Sequence, residues 1–296
     1  MTKSEPKPKP KSKSKSKPVA PRTLLKMAED GTDIDAFRDA VSRAESLAIE
    51  DRHGIALLAT TVSRRDPTVA LEFTRALIDA GADVELGGKN ASRPLYIAAG
   101  SGHIEVVRLL LDAGADVRAT SGKRGTALHA AAADGHAAVC EELLDRGADV
   151  NASDGEDHSP MHFALEDPAP NRMLAMHAVT PEEEAARLQL FQRLLDRGGN
   201  ANWATAKGWS LLHWTAAKNR VDAMKVLLDR GANPNTASAN GRTPLHAAAQ
   251  FDSADAVELL LKAGADPDVC NADGKTPREV AEQEDAAAAL ARLANR

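Results

Sequence analysis

Nine histidines and two cysteines are the side chains of this 296-residue chain best suited to bind a metal ion or attack a substrate. Protein zinc sites draw such residues from short motifs such as CxxC or HExxH, and neither spacing occurs here. Phosphate-binding loops, GxSxG turns and GxGxxG loops are also missing from the sequence. We therefore expect no catalytic residue, no metal and no cofactor, and a protein that is not an enzyme.

The tryptophans are the second chemical feature of the sequence. All three, Trp203, Trp209 and Trp214, fall within twelve residues, although aromatic residues make up only 3% of the chain. Clustered aromatic side chains are typical of binding hot spots when they lie on the surface. The elements that carry these residues decide between a binding site and a packed core.

A helix-ending turn recurs six times and sets those elements. Each copy follows a leucine-rich segment and begins at a glycine: Gly81, Gly114, Gly147, Gly198, Gly231 and Gly264. The spacings of 33, 33, 51, 33 and 33 residues indicate a stack of small units, none of which can bury its apolar face alone. We number units 1 to 6 by these glycines.

A four-residue motif lies 18 residues before the glycine in units 2, 3, 5 and 6, where it reads RPLY, TALH, SLLH and TPLH. Unit 4 carries SPMH, displaced by 18 further residues. The opening Thr or Ser and the Pro that often follows favour a helix start. Small residues follow, as a tightly packed inner helix requires, and a second helix ends at the glycine.

Unit 3, TALHAAAADGHAAVCEELLDRGADVN, closely resembles the ankyrin repeat pattern TPLHxAAxxGHxxVVxxLLxxGADVN. The resemblance covers about residues 23–290 and implies an all-α solenoid of about eight helix-turn-helix units with β-hairpin-like loops. The repeat domain would span residues 23–296, with an N-terminal cap over about 23–50 and a C-terminal cap over about 273–296. Unit 4 would hold an insertion over about 166–183.

The resemblance also implies roles for individual side chains. The motif histidines would be structural residues that join neighbouring turns: His129, His162, His213 and His246. Hairpin tips and inner helices would face a concave groove, which makes partner-binding candidates of side chains around units 4 to 6: Trp203, Trp209, Trp214, Phe163, Phe251, Arg242, Lys207, Lys218 and Glu166. The alternative is that these rings pack on one another, or lie under the insertion, and stiffen the middle of the array.

The insertion in unit 4 has its own local signals. Pro168 and Pro170 are expected to end the first helix of the unit, and Thr180 and Glu183 indicate a capping box that opens a long second helix. The segment is either surface variation or a partner contact. Because units contact only their neighbours, it should also be the weakest coupling in the array and a possible hinge.

Residues 1–22 differ from the rest of the chain. Seven lysines and Arg22 against Glu5 give this tail a net charge of +7, so the remainder carries −13 within the total of −6. The tail lacks apolar residues to bury and is expected to be disordered. Only the tail could attract nucleic acid or an anionic membrane, since the acidic body repels phosphates.

The remaining sequence signals concern the cellular location of the protein. Cys140 falls in a helix and Cys270 in a loop, and both are expected to be free thiols in a reducing compartment, which favours a cytoplasmic location. No apolar run is long enough for a transmembrane segment, and no secretory signal follows the charged start.

We expect a monomeric adaptor, scaffold or inhibitor that binds a protein partner in its groove. The alternative is a tethering protein whose basic tail binds an anionic surface while the repeats recruit cargo.

Overall fold

The computed structural model describes residues 18–31, 33–51, 53–88, 92–166 and 180–294. These residues form sixteen α-helices that pair into eight helix-turn-helix units, which confirms the predicted solenoid. The described ranges contain no strand, and three isolated β-bridges close hairpin-like loops before inner helices.

Each unit contributes a first, inner helix and a second, outer helix. The N-terminal cap holds α1 (Pro21–Asp30) and α2 (Ile34–Ser42), and the C-terminal cap holds α15 (Pro277–Gln283) and α16 (Ala287–Ala294). Units 1 to 3 hold α3 (Leu57–Val62), α4 (Pro67–Asp79), α5 (Pro94–Gly100), α6 (Ile104–Asp112), α7 (Ala127–Ala133) and α8 (Ala137–Asp145). Units 4 to 6 hold α9 (Pro160–Leu165), α10 (Pro181–Asp196), α11 (Leu211–Ala217), α12 (Val221–Asp229), α13 (Pro244–Gln250) and α14 (Ala254–Lys262).

The motif histidines start the inner helices of units 3 to 6. A Thr or Ser caps each helix, and the ring Nδ1 of the histidine three residues later accepts the N–H of the capping residue at 3.0–3.1 Å. The pair is a capping box in which histidine replaces the usual Glu or Gln. In the C-terminal cap, Glu279 takes this place opposite Thr276.

Alanines let the inner helices approach one another closely. Ala131 and Ala132 in α7 and Ala248 and Ala249 in α13 have no exposed surface. The outer helices supply leucines to the same core, and the fully buried members are Leu110, Leu143, Leu194, Leu227 and Leu260. The core is therefore one continuous layer between two rows of helices, as a repeat array requires.

Two kinds of polar contact repeat along the outer edge. Asparagine side chains donate to the closing glycine carbonyl of the next unit: Asn151 to Gly198, Asn202 to Gly231 and Asn235 to Gly264, at 3.0, 3.2 and 3.0 Å. Arginines after the outer helices pair with an aspartate of the preceding unit: Arg146 with Asp112, Arg197 with Asp145 and Arg230 with Asp196. These exposed ion pairs contribute little singly, but the asparagine bonds fix the register between units.

The junction between units 4 and 5 departs from this regularity. Within the described residues, the backbones of α9 and α11 stay further apart than those of the other neighbouring inner helices. The hairpin tips of units 5 and 6 share a backbone bond from Ala239 N–H to Lys207 O at 2.8 Å. Between units 4 and 5, Ala206 N–H instead meets the Asp157 carboxylate at 3.4 Å.

Three sequence expectations concern element boundaries. The first helix begins at Pro21, so α1 starts inside the predicted 1–22 tail. The expected capping box of α10 is present, since Thr180 N–H donates to Glu183 Oε2 at 3.0 Å and Glu183 N–H donates to Thr180 Oγ1 at 3.2 Å. Pro168, Pro170 and residues 1–17 lie outside the described residues, so the predictions for them stay predictions. No helix in the described ranges is long and apolar enough to cross a membrane.

The loose contact between α9 and α11 predicts faster hydrogen exchange at this junction. Amides of α9 should exchange at least about tenfold faster than amides at matching positions of α13, because opening between units exposes their hydrogen bonds to water. Amide exchange read by mass spectrometry or NMR checks this, with α13 as the internal reference. Equal protection of α9 and α13 would contradict a hinge at the junction.

Candidate functional site

Three of the four motif histidines join their unit to the next one. The Nε2–H of each donates to a backbone carbonyl 29 residues later: His129 to His158, His213 to Arg242 and His246 to Lys275, at 3.1, 2.9 and 3.0 Å. Because Nδ1 of each ring accepts a hydrogen bond, the proton lies on Nε2 and the ring is neutral. These histidines therefore act as fixed donors between units.

Burial keeps these rings uncharged. Loss of hydration lowers the pKa of all four motif histidines, to about 3 for His162 and to about 4 for His213. For His162, the nearby His158 ring lowers the pKa further. At neutral pH the four rings are hydrogen-bonding groups and carry no charge.

His162 is the exception in this series of donors. Its Nδ1 accepts from Ser159 N–H at 3.0 Å, but its buried Nε2 has no hydrogen-bond partner among the described residues. By register, the acceptor should be the carbonyl of Trp209 in unit 5. That carbonyl accepts only the regular loop bond from Thr205 N–H, whereas the matching carbonyl of Arg242 accepts both from Ser238 N–H and from His213. The wide spacing of α9 and α11 keeps the Trp209 carbonyl from His162.

Trp203 ties the hairpin of unit 5 to that of unit 4. Its indole Nε1–H donates to the backbone carbonyl of Asp157 at 3.0 Å, and its ring is half-buried against the core. Asp157 has a left-handed φ of 65°, where the matching tip residue of unit 5 is Gly208. The indole of Trp203 therefore serves as a contact between units, and its predicted role in partner binding stays a prediction.

Trp209 and Trp214 lie on an open cleft of about 680 Å³ between the hairpin tips of units 4 to 6. Both indoles are half-buried. The Trp209 ring packs against the ring of His213 in the same unit, with centroids 4.8 Å apart. Trp214 meets the rings of His158 and His162 edge to face, at 6.1 and 6.3 Å. These two rings fill the widened junction and keep part of their surface in the cleft.

The phenylalanines do not join this cleft. Phe163 is half-buried against the core and meets the ring of His129 edge to face at 5.6 Å. Phe251 is 57% exposed and caps the end of α13. Phe163 thus packs partly against unit 3, and the prediction that Phe163 and Phe251 bind a partner stays a prediction.

The charged candidates also divide into residues that line the cleft and residues that do not. Lys207 is exposed on the rim of the cleft. Lys218 places its Nζ 5.3 Å from the centroid of the Trp214 ring. Glu166 is half-buried and lines a separate small void that Trp214 also borders. Arg242 does not line the cleft, and its guanidinium donates to Gln250 Oε1 at 2.6 Å.

His158 is the cleft residue that the sequence analysis missed. It lines the cleft, contacts the rings of Phe163 and Trp214, and supplies the carbonyl that accepts from His129. The sequence could have indicated His158 through its position in the repeat, because it takes the hairpin-tip position that Trp209 holds in unit 5. Its spacing from the other histidines matches no metal-binding motif and so gave no indication.

The two cysteines differ in their surroundings, since Cys140 is buried and Cys270 is exposed. Both thiols are free, and burial raises the pKa of Cys140 to about 12, which removes its nucleophilic form at neutral pH. The described ranges hold no group of three or more His, Cys, Asp or Glu side chains placed to hold a metal ion.

Comparison with known proteins gives the same architecture. Copies of the ankyrin repeats model match residues 49–121, 68–154 and 175–277, which together are more than half of the chain. The crystal structure of the ankyrin repeat domain of Bcl-3, described as a unique member of the IkappaB protein family, is similar over 80% of this chain and 97% of that chain. It has 25% sequence identity and a TM-score of 0.62. No curated protein matches the chain in sequence. On the family match and the stacked helix pairs, the chain belongs to the ankyrin repeat family.

Proposed function

We propose that this protein is a non-enzymatic adaptor, scaffold or inhibitor that binds a protein partner along the inner helices and hairpin tips of units 4 to 6. Ankyrin repeat domains are typically protein-binding domains without catalytic activity, which supports a protein-interaction module. The fold alone does not choose the surface. The cleft with the Trp209 and Trp214 rings on its walls is the observation that supports this surface.

The composition of this cleft fits a protein interface. Large aromatic side chains at the centre of a contact supply most of its affinity, and a charged rim tunes rate and specificity. Here the two indoles form the centre, while Glu156, Asp157 and Lys207 stand on the rim. Phe251, exposed at the end of α13, would extend the same contact towards the C-terminal cap.

Replacing either indole should weaken partner binding. Trp209→Ala and Trp214→Ala are each expected to cost about 2 kcal/mol of binding free energy, roughly a thirtyfold loss, because a central aromatic anchor is removed. A crosslinking pulldown from native extract identifies the partner, and calorimetry with the purified partner measures the loss. Lys225→Ala on the exposed face of α12 is the matched control and should bind normally.

The outcome also separates the two functions considered from the sequence. Full affinity in the Trp209→Ala/Trp214→Ala double variant, with normal helical content by circular dichroism, would contradict the groove proposal. Removing residues 1–17, which hold the seven lysines and leave α1 intact, is the second arm. Loss of binding there, with a steep dependence on salt for the intact chain, would favour the tethering function instead.

A further inference from the structure

The cleft between the hairpin tips of units 4 to 6 brings aromatic rings and acidic side chains to one place. Its lining includes Trp209 and Trp214 on one side and Glu156 and Asp157 on another. An indole presents a negative face to a cation, and carboxylates add full charge beside it. The combination suits a positively charged group better than an apolar one.

Among the described residues that line the cleft, none places a positive charge over either indole ring. The His213 ring beneath Trp209 is neutral, since burial lowers its pKa to about 4. Both indoles are half-buried and line the same open cleft of about 680 Å³, which leaves room for an inserted side chain.

One cation of the molecule already lies beside Trp214. Lys218, one turn further along the helix, places its Nζ 5.3 Å from the centroid of the Trp214 ring. Lys218 and Trp214 both line a small void together with His162, Leu165 and Glu166. Trp214 also lines the cleft with Trp209, whereas Lys218 does not.

The carboxylates on the rim are available to pair with a ligand. Neither Glu156 nor Asp157 forms an ion pair with a described residue, and Glu156 is exposed. Asp157 accepts a single long contact from Ala206 N–H at 3.4 Å. Among the residues that line the cleft, Glu156 and Asp157 face one basic side chain, Lys207, while Lys218 lies against Trp214 without lining the cleft.

We propose that this cleft takes a cationic side chain of the protein partner, with arginine the better fit because its planar guanidinium can stack on an indole and pair with a carboxylate together. The inference rests on the proposed function and names the chemistry of the residue that enters the site. The partner would present the arginine in an exposed segment that reaches between the hairpin tips of units 4 and 5.

The indole N–H signals give a direct test on the intact chain. Three tryptophans give three such signals in a proton–nitrogen NMR spectrum, and a Trp→Phe variant of each assigns them. The probes are the blocked peptides acetyl-Gly-Arg-Gly-amide and acetyl-Gly-citrulline-Gly-amide, which match in shape and differ in charge. The arginine peptide should shift the Trp209 and Trp214 signals saturably, at least about tenfold more tightly than the citrulline peptide. The Trp203 signal should move least.

Two variants separate charge and aromaticity from simple burial. Trp209→Leu keeps an apolar side chain but removes the ring, and it should abolish the preference for arginine over citrulline. Asp157→Asn removes one carboxylate while tolerating the left-handed backbone at this position, and it should weaken arginine binding several-fold. High salt should weaken binding in the same direction.

Equal binding of the two peptides, or no shift with either, would overturn the cationic assignment. The pulldown with Trp209→Ala keeps this result apart from the broader proposal. If that variant loses its partner while the arginine peptide does not bind, the groove is the binding site and the cationic chemistry is wrong. If neither experiment responds to Trp209, both proposals fail.

Discussion

Lowering the pH from 7 to 5 is expected to reduce the free energy of unfolding by about 2 kcal/mol for each of His162 and His213. Burial lowers the pKa of these rings to about 3 and about 4, whereas an unfolded chain protonates histidine near its ordinary value of about 6.5. The unfolded state therefore binds more protons between those values. Stability is fully present above about pH 6.5 and is lost as the pH falls towards the folded pKa values.

Urea unfolding at pH 7, 6 and 5, followed by circular dichroism, checks this. His129 and His246 have lowered pKa values for the same reason and should add to the slope. The variant His213→Gln should lose the share of the slope due to one histidine. Unfolding free energy that stays level between pH 7 and pH 5 would contradict the buried neutral rings.

The second large effect is a difference between two matched histidines. His213→Ala should cost about 3 kcal/mol of unfolding free energy, because it empties a fully buried site and removes the hydrogen bond to Arg242. His162→Ala should cost about 1 kcal/mol less, since its Nε2 has no partner among the described residues. Both rings are buried and both accept from a capping N–H, so the comparison isolates the bond between units.

Denaturant unfolding of the two variants under one set of conditions measures this difference. Equal losses would mean that the Nε2 of His162 finds a partner in solution, and that the junction between units 4 and 5 closes like the others. A larger loss for His162 would have the same meaning. Normal helical content in both variants shows that the array still folds.

The regular part of this fold could be predicted because its causes are local and repeated. The spacing of Gly114 and Gly147, and the small residues behind TALH, dictate helix ends and close packing wherever they recur. The resemblance to a known repeat then supplied the stacking. The break between units 4 and 5 could not be predicted in detail, because it depends on how far apart α9 and α11 settle, and no residue type encodes that distance.

The dependence on contacts between units also explains why only some of the candidate site residues line the cleft. Register placed Trp209 and Trp214 at a hairpin tip and on an inner helix, and both line the cleft. Trp203 has equally suggestive chemistry, but its indole N–H finds the carbonyl of Asp157 across the junction. Whether an aromatic residue binds its own neighbour or a partner depends on such contacts between units, and they appear only once the units are assembled.

The asparagine bonds to the closing glycines carry a consequence for how the length of the protein can change. Asn202 meets Gly231 as Asn235 meets Gly264, so each unit offers the same donor forwards and the same acceptor backwards. Removing or duplicating one whole period of 33 residues in this part of the chain would restore every such bond. A change of another length has to be absorbed inside one unit, as in unit 4, where Asn151 still donates to Gly198 across 18 extra residues. The number of units, and with it the extent of the binding surface, can therefore change only in discrete steps.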